Sequence, residues 1–301
     1  MNASRALVTG AAGFIGRAVC RELLAGGCHV AALCRRRDRR LPPEIEPIVC
    51  DLADRRQLLR AVESAACDCI FHFAGYTSAT RDLQAVPETF DSNLAATVNV
   101  LFAATQVGCN RLVVAGSLEE PDPGEAPSSP YAASKLAGTH YARMFHEVYG
   151  TPVVIARIFM VYGPDQQDTR KLIPHTILRL LEGRELAFAS GRRELDWIYI
   201  DDLARGLVEL ARRDGLAGEV LDFGTGTLTP IRRVVEMLID LVDPAATPRF
   251  GVLPERKAEQ IRQANARRTE ERLGWRATVG LPDGLARTVR HYRERHPVPG
   301  P

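Results

Sequence analysis

Apolar, strand-like runs alternate with helix-like segments from the first residues of the chain, and this rhythm limits the fold more than any single motif. Arg5 to Val8 reads as a strand and Phe14 to Ala25 as a helix with an apolar stripe; strands follow at His29 to Leu33 and Pro47 to Cys50, and a helix at Arg55 to Ala65. The pattern continues with a strand at Asp68 to Phe73, a long helix at Pro87 to Val107, a strand at Arg111 to Ala115, a helix at Pro130 to Tyr149 and a strand at Val153 to Arg157. Strands this apolar bury both faces, and strands separated by helices pair in parallel. Right-handed crossovers then make an α/β fold, a doubly wound parallel sheet. After Gly163 the rhythm loosens. Leu172 to Leu181 reads as helical, Asp196 to Ile200 as extended and Leu203 to Arg212 as helical, and further periodic pieces lie at Val220 to Phe223, Arg232 to Val242 and Arg267 to Leu273. The tail from Pro297 to Pro301 is expected to fray.

The 301 residues leave room for about two domains, or for one large α/β unit with a smaller lobe, and a hydrophobic share of 46% supports a full core. A net charge of +2 gives no argument for nucleic acid or an anionic membrane as partner. No apolar stretch approaches the roughly 18–20 residues of a membrane span, and the N-terminus runs into strand-like Ala6-Leu7-Val8 without a leader pattern. The seven cysteines are odd in number and none has CxxC spacing. They read as small hydrophobes in a reducing compartment, with no metal site; a cytoplasmic location is expected.

Between the first strand and the first helix lies Thr9-Gly10-Ala11-Ala12-Gly13-Phe14-Ile15-Gly16. Glycines permit a tight turn and let backbone N–H groups approach a pyrophosphate, while the helix N-terminus adds partial positive charge. The position between a strand and a helix is the context a phosphate loop requires; a structural turn without ligand is the alternative. Residues 1–163 are therefore expected to form a Rossmann-type dinucleotide-binding domain. Residues 164–301 are expected to be mainly a smaller C-terminal substrate-binding lobe, interleaved with the last sheet strands.

The G-x-x-G-x-x-G spacing resembles the extended short-chain dehydrogenase/reductase family, in particular its nucleotide-sugar epimerases, dehydratases and 4-ketoreductases. The resemblance extends to Asp51-Leu52, His72-Phe73-Ala74-Gly75, Asn93, Tyr131-Ala-Ala-Ser-Lys135, the run Arg157 to Pro164, the run Asp196 to Asp202, and Leu273-Gly-Trp275. It implies that Gly10, Gly13, Phe14, Ile15 and Gly16 hold the cofactor, that Asp51 and Leu52 flank the adenine, and that Ala74 and Gly75 lie against the cofactor. His72 reads better as packing at a strand end. Cys34 stands where NAD-using members usually carry Asp, and Arg35-Arg36-Arg37 follows. Guanidinium groups pair well with a ribose 2′-phosphate, so NADP(H) is the expected cofactor, bound through Arg35 and then Arg36; a solvated basic loop is the alternative.

Tyr131 and Lys135 are four apart on a predicted helix and share a face. A nearby ammonium lowers a phenol pKa, and the pair can hold the nicotinamide ribose and move the proton that accompanies hydride transfer. Ser117 resembles the third catalytic residue of the family. Glu119, in Ser-x-Glu, is similar to the pattern in hexose 4,6-dehydratases, where it would be a base at C5, and in some 4-keto-6-deoxyhexose reductases; a solvated carboxylate is the plain reading. Pro121-Asp122 replaces the usual Tyr-Gly. In the lobe, Met160 and Leu195 replace an Asn and a diphosphate-binding Arg of the family pattern. Arg192, Arg193 and Arg256 are the candidate substitutes, or else surface arginines.

The expected activity is NADPH-dependent reduction of a nucleotide-activated 4-keto-6-deoxy sugar, with Tyr131 as proton donor. The alternatives are a nucleotide-sugar 4-epimerase and a 4,6-dehydratase using Glu119. A non-catalytic dinucleotide-binding protein would be expected to lack the Tyr131/Lys135 pair. The two long helices resemble those that form a dimer interface in the family, so a homodimer is expected.

Overall fold

The computed structural model describes residues 4–36, 38, 41–255 and 260–296. Seven strands form its main sheet: β1 (Arg5–Thr9), β2 (His29–Cys34), β3 (Glu46–Val49), β4 (Cys69–His72), β5 (Arg111–Ser117), β6 (Val153–Ile158) and β9 (Val220–Phe223). All pair in parallel, in the order β3-β2-β1-β4-β5-β6-β9. Alternate residues feed opposite faces. Leu7, Ala31, Ile70, Leu112 and Ile155 pack on one side, under α2 (Arg55–Ala65), α4 (Ala96–Val107) and α5 (Pro130–Tyr149). Ala6, Val8, Phe71, Val113 and Val154 pack on the other, under α1 (Phe14–Ala25) and α7 (Ile200–Arg212). Burial on both faces is why these strands are apolar at successive positions.

The helix predicted over Pro87 to Val107 is not one α-helix. A short α3 (Ala85–Thr89) passes into a π-helical turn, Phe90–Ala95, before α4. The extra residue in that turn points Asn93 inward. Its Nδ2 donates to Tyr76 O (3.0 Å) and to Ser134 Oγ (3.0 Å), and its Oδ1 accepts from Tyr76 N–H (2.6 Å). The loop after β4 is thereby tied to helix α5.

β7 (Met160–Tyr162), just before Gly163, makes a second sheet with β8 (Glu194–Tyr199) and β10 (Leu228–Pro230), with α6 (Leu172–Leu181), α8 (Ile231–Val242), α9 (Ala266–Leu273) and α10 (Leu281–Arg295) nearby. Two buried aspartates fasten this region. Asp196 accepts from the N–H groups of Thr225, Gly226 and Ala264 at 2.7–3.1 Å, and Asp202 from those of Thr278 and Val279 at 2.9 and 2.7 Å. Among the described residues no helix is long and apolar enough to cross a membrane. All seven cysteines are free thiols, and burial pushes Cys20 and Cys67 up to about 12.

Candidate active site

The glycine loop sits at the carboxyl end of β1, where the strand order reverses between β1 and β4. Gly10 has φ +69°, and a Cβ there would stand 2.7 Å from Ala74 N. A Cβ on Gly16 would run into the Gly10 carbonyl. Side chains are thus excluded from the turn by backbone on both sides. Gly13 caps α1 without any side-chain acceptor, so the first-turn N–H groups of Phe14, Ile15 and Gly16 open the positive end of the helix. These features fit a dinucleotide pyrophosphate. The lobe closes over the loop: Gln167 Nε2 donates to Ala12 O (3.1 Å) and Arg17 Nη2 to Asp165 O (2.8 Å).

Ala74 and Gly75 follow β4, with Ala74 N–H donating to Thr9 Oγ1 (3.1 Å) and Gly75 lying against Asn93. His72 bridges Thr9 Oγ1 (2.8 Å) and Thr97 Oγ1 (3.0 Å), and burial lowers it to about 3, with the Lys135 charge adding to the effect. It is a neutral strut under the loop. Arg35 and Arg36 are exposed just past β2; Arg37 lies outside the described residues. Asp51 and Leu52 follow β3. The Asp51 carboxylate accepts from Ala53 N–H (3.0 Å), and Leu52 O accepts from Asn99 Nδ2 (2.8 Å).

Ser117 ends β5. Helix α5 starts beside it, capped by Ser129 Oγ on Ala132 N–H (3.1 Å) with Pro130 in its first turn, so Tyr131 projects at the helix start and Lys135 one turn later. The Ser117 hydroxyl is hydrogen-bonded to the Tyr131 phenol. Lys135 Nζ donates to Ala115 O (2.9 Å) and lies 5.9 Å from the Tyr131 ring centroid. The three residues expected to act together are therefore in one place. Their electrostatics differ from expectation, because Lys135 does not dominate Tyr131. Burial pushes the phenol up to about 12 against the Ser117 hydrogen bond, with the Glu119 and Glu120 carboxylates adding to the rise. Burial also pulls Lys135 down to about 8, with Glu120 opposing.

Two other candidates meet as well. Glu119 Oε1 and Arg193 Nη2 form a largely buried ion pair at 3.1 Å, and Arg193 also donates to Gln260 O through Nε (3.2 Å) and Nη2 (2.9 Å). Arg192 is exposed, its N–H donating to Ser190 Oγ (3.2 Å), with its charge near Glu255. Arg256 lies outside the described residues. Beyond Glu119 the same loop meets the lobe twice more, through the Asp122–Arg262 ion pair and the Gln260 Nε2 to Glu125 hydrogen bond of 3.1 Å. Sequence reasoning did not single out Glu120, which is fully enclosed behind Ser117. The signal that could have found it is Gly116: a Cβ there would stand 2.7 Å from the Glu120 carboxylate. Among the described residues no cluster of His, Cys, Asp and Glu could hold a metal ion.

A seven-stranded doubly wound sheet, a glycine cradle at its switch point, and a serine, tyrosine and lysine converging beside it define an enzyme of the short-chain dehydrogenase/reductase type. Residues 6–224 match the model of the NAD dependent epimerase/dehydratase family, and the chain belongs to that family. A probable dTDP-glucose 4,6-dehydratase of Sinorhizobium fredii is 30% identical over 96% of this chain and 93% of its own length. The crystal structure of DesIV, a dTDP-glucose 4,6-dehydratase from Streptomyces venezuelae with NAD bound, is 33% identical with a TM-score of 0.84, covering 96% of this chain and 97% of that one. The UDP-glucose 4-epimerase of Thermus thermophilus in complex with NAD is 28% identical with a TM-score of 0.85, covering 96% and 99%.

Proposed function

We propose that this enzyme transfers hydride at C4 of a nucleotide-linked hexose, and specifically that it reduces a 4-keto-6-deoxy sugar with NADPH. The observation that supports net reduction is the end of β2, where exposed Arg35 and Arg36 follow Cys34, because a 2′-phosphate site selects NADPH, the usual soluble reductant. Arg35 and Arg36, exposed past Cys34 with no carboxylate in that place, support NADP(H) over the NAD named for the solved relatives. Gly10, Gly13, Phe14, Ile15 and Gly16 would hold the pyrophosphate, Asp51 and Leu52 the adenine end, and Ala74, Gly75, Tyr131 and Lys135 the nicotinamide end. The lobe after Gly163 would take the sugar nucleotide, with Arg193, Arg192 and Arg256 toward its phosphates.

When bound, the dinucleotide supplies the hydride that forms the new C4–H bond. Ser117 donates to the C4 carbonyl oxygen. Tyr131 gives its proton to that oxygen as the negative charge develops, and the tyrosinate left behind is reprotonated from solvent. The positive charge of Lys135 stabilises that tyrosinate.

A second reading, 4,6-dehydration, is favoured by one observation: Glu119, a carboxylate close enough to raise the Tyr131 pKa, is a candidate base at C5. In that case, as in 4-epimerisation, the hydride returns to the sugar. The test is NADPH absorbance during turnover of a panel of nucleotide-linked 4-keto-6-deoxyhexoses. Stoichiometric NADPH loss is expected with at least one of them, and Tyr131→Phe should cut its rate by about 10²–10⁴-fold while leaving cofactor affinity in place. Turnover of a 4-hydroxy nucleotide sugar without net NADPH change would overturn the reductase reading.

A homodimer is part of the same proposal. Phe90 in the π turn, Phe102 on α4, and Tyr141 and Val148 on α5 are exposed apolar side chains on the helices expected to pair.

A further inference from the structure

We infer that Glu120 is a positioning residue for the catalytic groups: one buried carboxylate that ties the end of β5 to helix α5, fixes Ser117 against Tyr131 and sets a negative charge near Lys135. Glu120 is 1% exposed. Its Oε1 accepts from the Ser117 N–H (2.7 Å), and its Oε2 accepts from the Thr139 hydroxyl (3.0 Å). Thr139 stands one turn beyond Lys135 and two beyond Tyr131, on the same face of α5. The carboxylate therefore spans the gap between the strand that carries the serine and the helix that carries the tyrosine and lysine. Its own N–H closes a turn onto Ser117 O (3.1 Å), so main chain and side chain both clasp the serine. Gly116 makes room for it.

An apolar side chain would fill this space without the cost of burying a carboxylate, so packing alone does not account for Glu120. The charged groups around it come from α5, from β6 and from its own loop. Lys135 and the Tyr131 phenol face it from α5, Arg157 from β6 with Nε at 4.0 Å, and Glu119 precedes it in the loop. Arg157 is itself bonded through Nη1 to Asp222 Oδ1 of β9 (3.1 Å), and its Nε makes no hydrogen bond, so it balances Glu120 from a distance. Glu120 thus keeps its influence on Lys135, where burial drives the amine toward neutrality and Glu120 opposes it. The ammonium that steadies Tyr131 in the proposed reaction is maintained from behind by this carboxylate.

The chain has three lysines, Lys135, Lys171 and Lys257, so protein labelled with [13Cε]lysine gives three side-chain signals that can be titrated without any substrate. The Lys135 signal is assigned by its loss in Lys135→Met. The wild type should titrate at about 8, and Glu120→Gln, which keeps the shape and removes the charge, should move that midpoint down by roughly one pH unit while Lys171 stays in place. An unchanged Lys135 midpoint in Glu120→Gln overturns the electrostatic half of the inference. Glu120→Asp keeps the charge but is too short to reach both Ser117 and Thr139, and Glu120→Met, neutral and of similar length, takes the place of Glu120→Gln in the titration if that variant does not fold. The kcat of Glu120→Asp with dTDP-4-keto-6-deoxyglucose and NADPH should fall by roughly ten- to a hundredfold at unchanged KM; wild-type turnover overturns the positioning half. Only this turnover arm rests on the proposed reaction. A wild type inactive with that sugar would count against the reaction, while the lysine titration still decides on Glu120.

Discussion

Removing either partner of the Glu119–Arg193 pair should cost stability, and removing both should cost less than the sum. The facing atoms are 3.1 Å apart and the two side chains are 13% and 15% exposed. With an effective dielectric of about 20, the direct attraction is on the order of 5 kcal/mol, most of it offset by desolvation of the two ions. A net coupling of about 1–3 kcal/mol is expected, with single-variant losses of about 2–3 kcal/mol from the charge left unpaired. Arg193→Gln should cost more than Glu119→Gln, because Arg193 also holds Gln260 O through two nitrogens. Urea unfolding of the wild type, Glu119→Gln, Arg193→Gln and the double variant closes the cycle. Losses that add to within about 0.5 kcal/mol would show that the pair is not a bond in solution. The same Glu119→Gln protein separates the two chemical readings. A reductase abstracts no C5 proton and should lose only the modest share of turnover that the Arg193 tie supports, whereas a dehydratase that uses this carboxylate as base should lose turnover by orders of magnitude.

Arg35→Asp should weaken NADPH binding by roughly ten- to a hundredfold, the worth of one charge-assisted hydrogen bond; dissociation constants for both dinucleotides check it, and a wild type that prefers NAD refutes the 2′-phosphate assignment. His72 is held neutral in the fold, at about 3, so below its unfolded value of 6.5 only the unfolded chain takes up its proton, and the stability this gives at neutral pH is lost as pH falls from 6.5 toward 3. At pH 5 the loss should be about 2 kcal/mol relative to pH 7, and it should be absent from the pH dependence of His72→Asn measured by urea unfolding. Light scattering at micromolar concentration should give twice the chain mass, and Phe102→Arg together with Val148→Arg should lower it; a monomeric wild type removes the dimer.

The helices α1, α2, α5 and α6 lie where the 3.6-residue pattern of the sequence puts them, because each buries one apolar stripe on a sheet or a neighbouring helix. The misses have separate physical causes. β7 and β10 are three residues long, too short to show a period of two, and β10 ends in a proline. Helix α10 carries Arg287, Arg290, Arg293 and Arg295, and this charge masks the buried row Leu285, Val289 and Tyr292. The π turn goes with three hydrogen bonds between Asn93 and residues distant in sequence, two donated to Tyr76 O and Ser134 Oγ and one accepted from Tyr76 N–H. Glu119 and Arg193 could each be named from local pattern, but their pairing joins positions 74 apart and exists only in the folded chain. Nothing local decides which of two adjacent glutamates turns inward. That choice is made by Thr139 and Arg157, which wait on α5 and β6 for a carboxylate.

Those two glutamates point to opposite sides of one loop. Glu120 faces the sheet and grips Ser117 and α5; Glu119 faces the lobe and grips Arg193, with Asp122 and Glu125 reaching Arg262 and Gln260 in the same direction. The loop that follows Ser117, the candidate catalytic serine, is therefore fastened to the sheet and to the lobe at once. Arg193 holds Gln260, and the chain from there leads to Ala264 and Asn265, whose N–H groups are bonded to Asp196 and to Asp222; Asp222 in turn holds Arg157 beside Glu120. The connections form a closed circuit through the lobe and back to the sheet. A change in the lobe that moves Arg193 has a short physical route to the hydroxyl of Ser117. Substitutions at lobe positions that never touch the reacting carbon should for that reason alter kcat as well as KM.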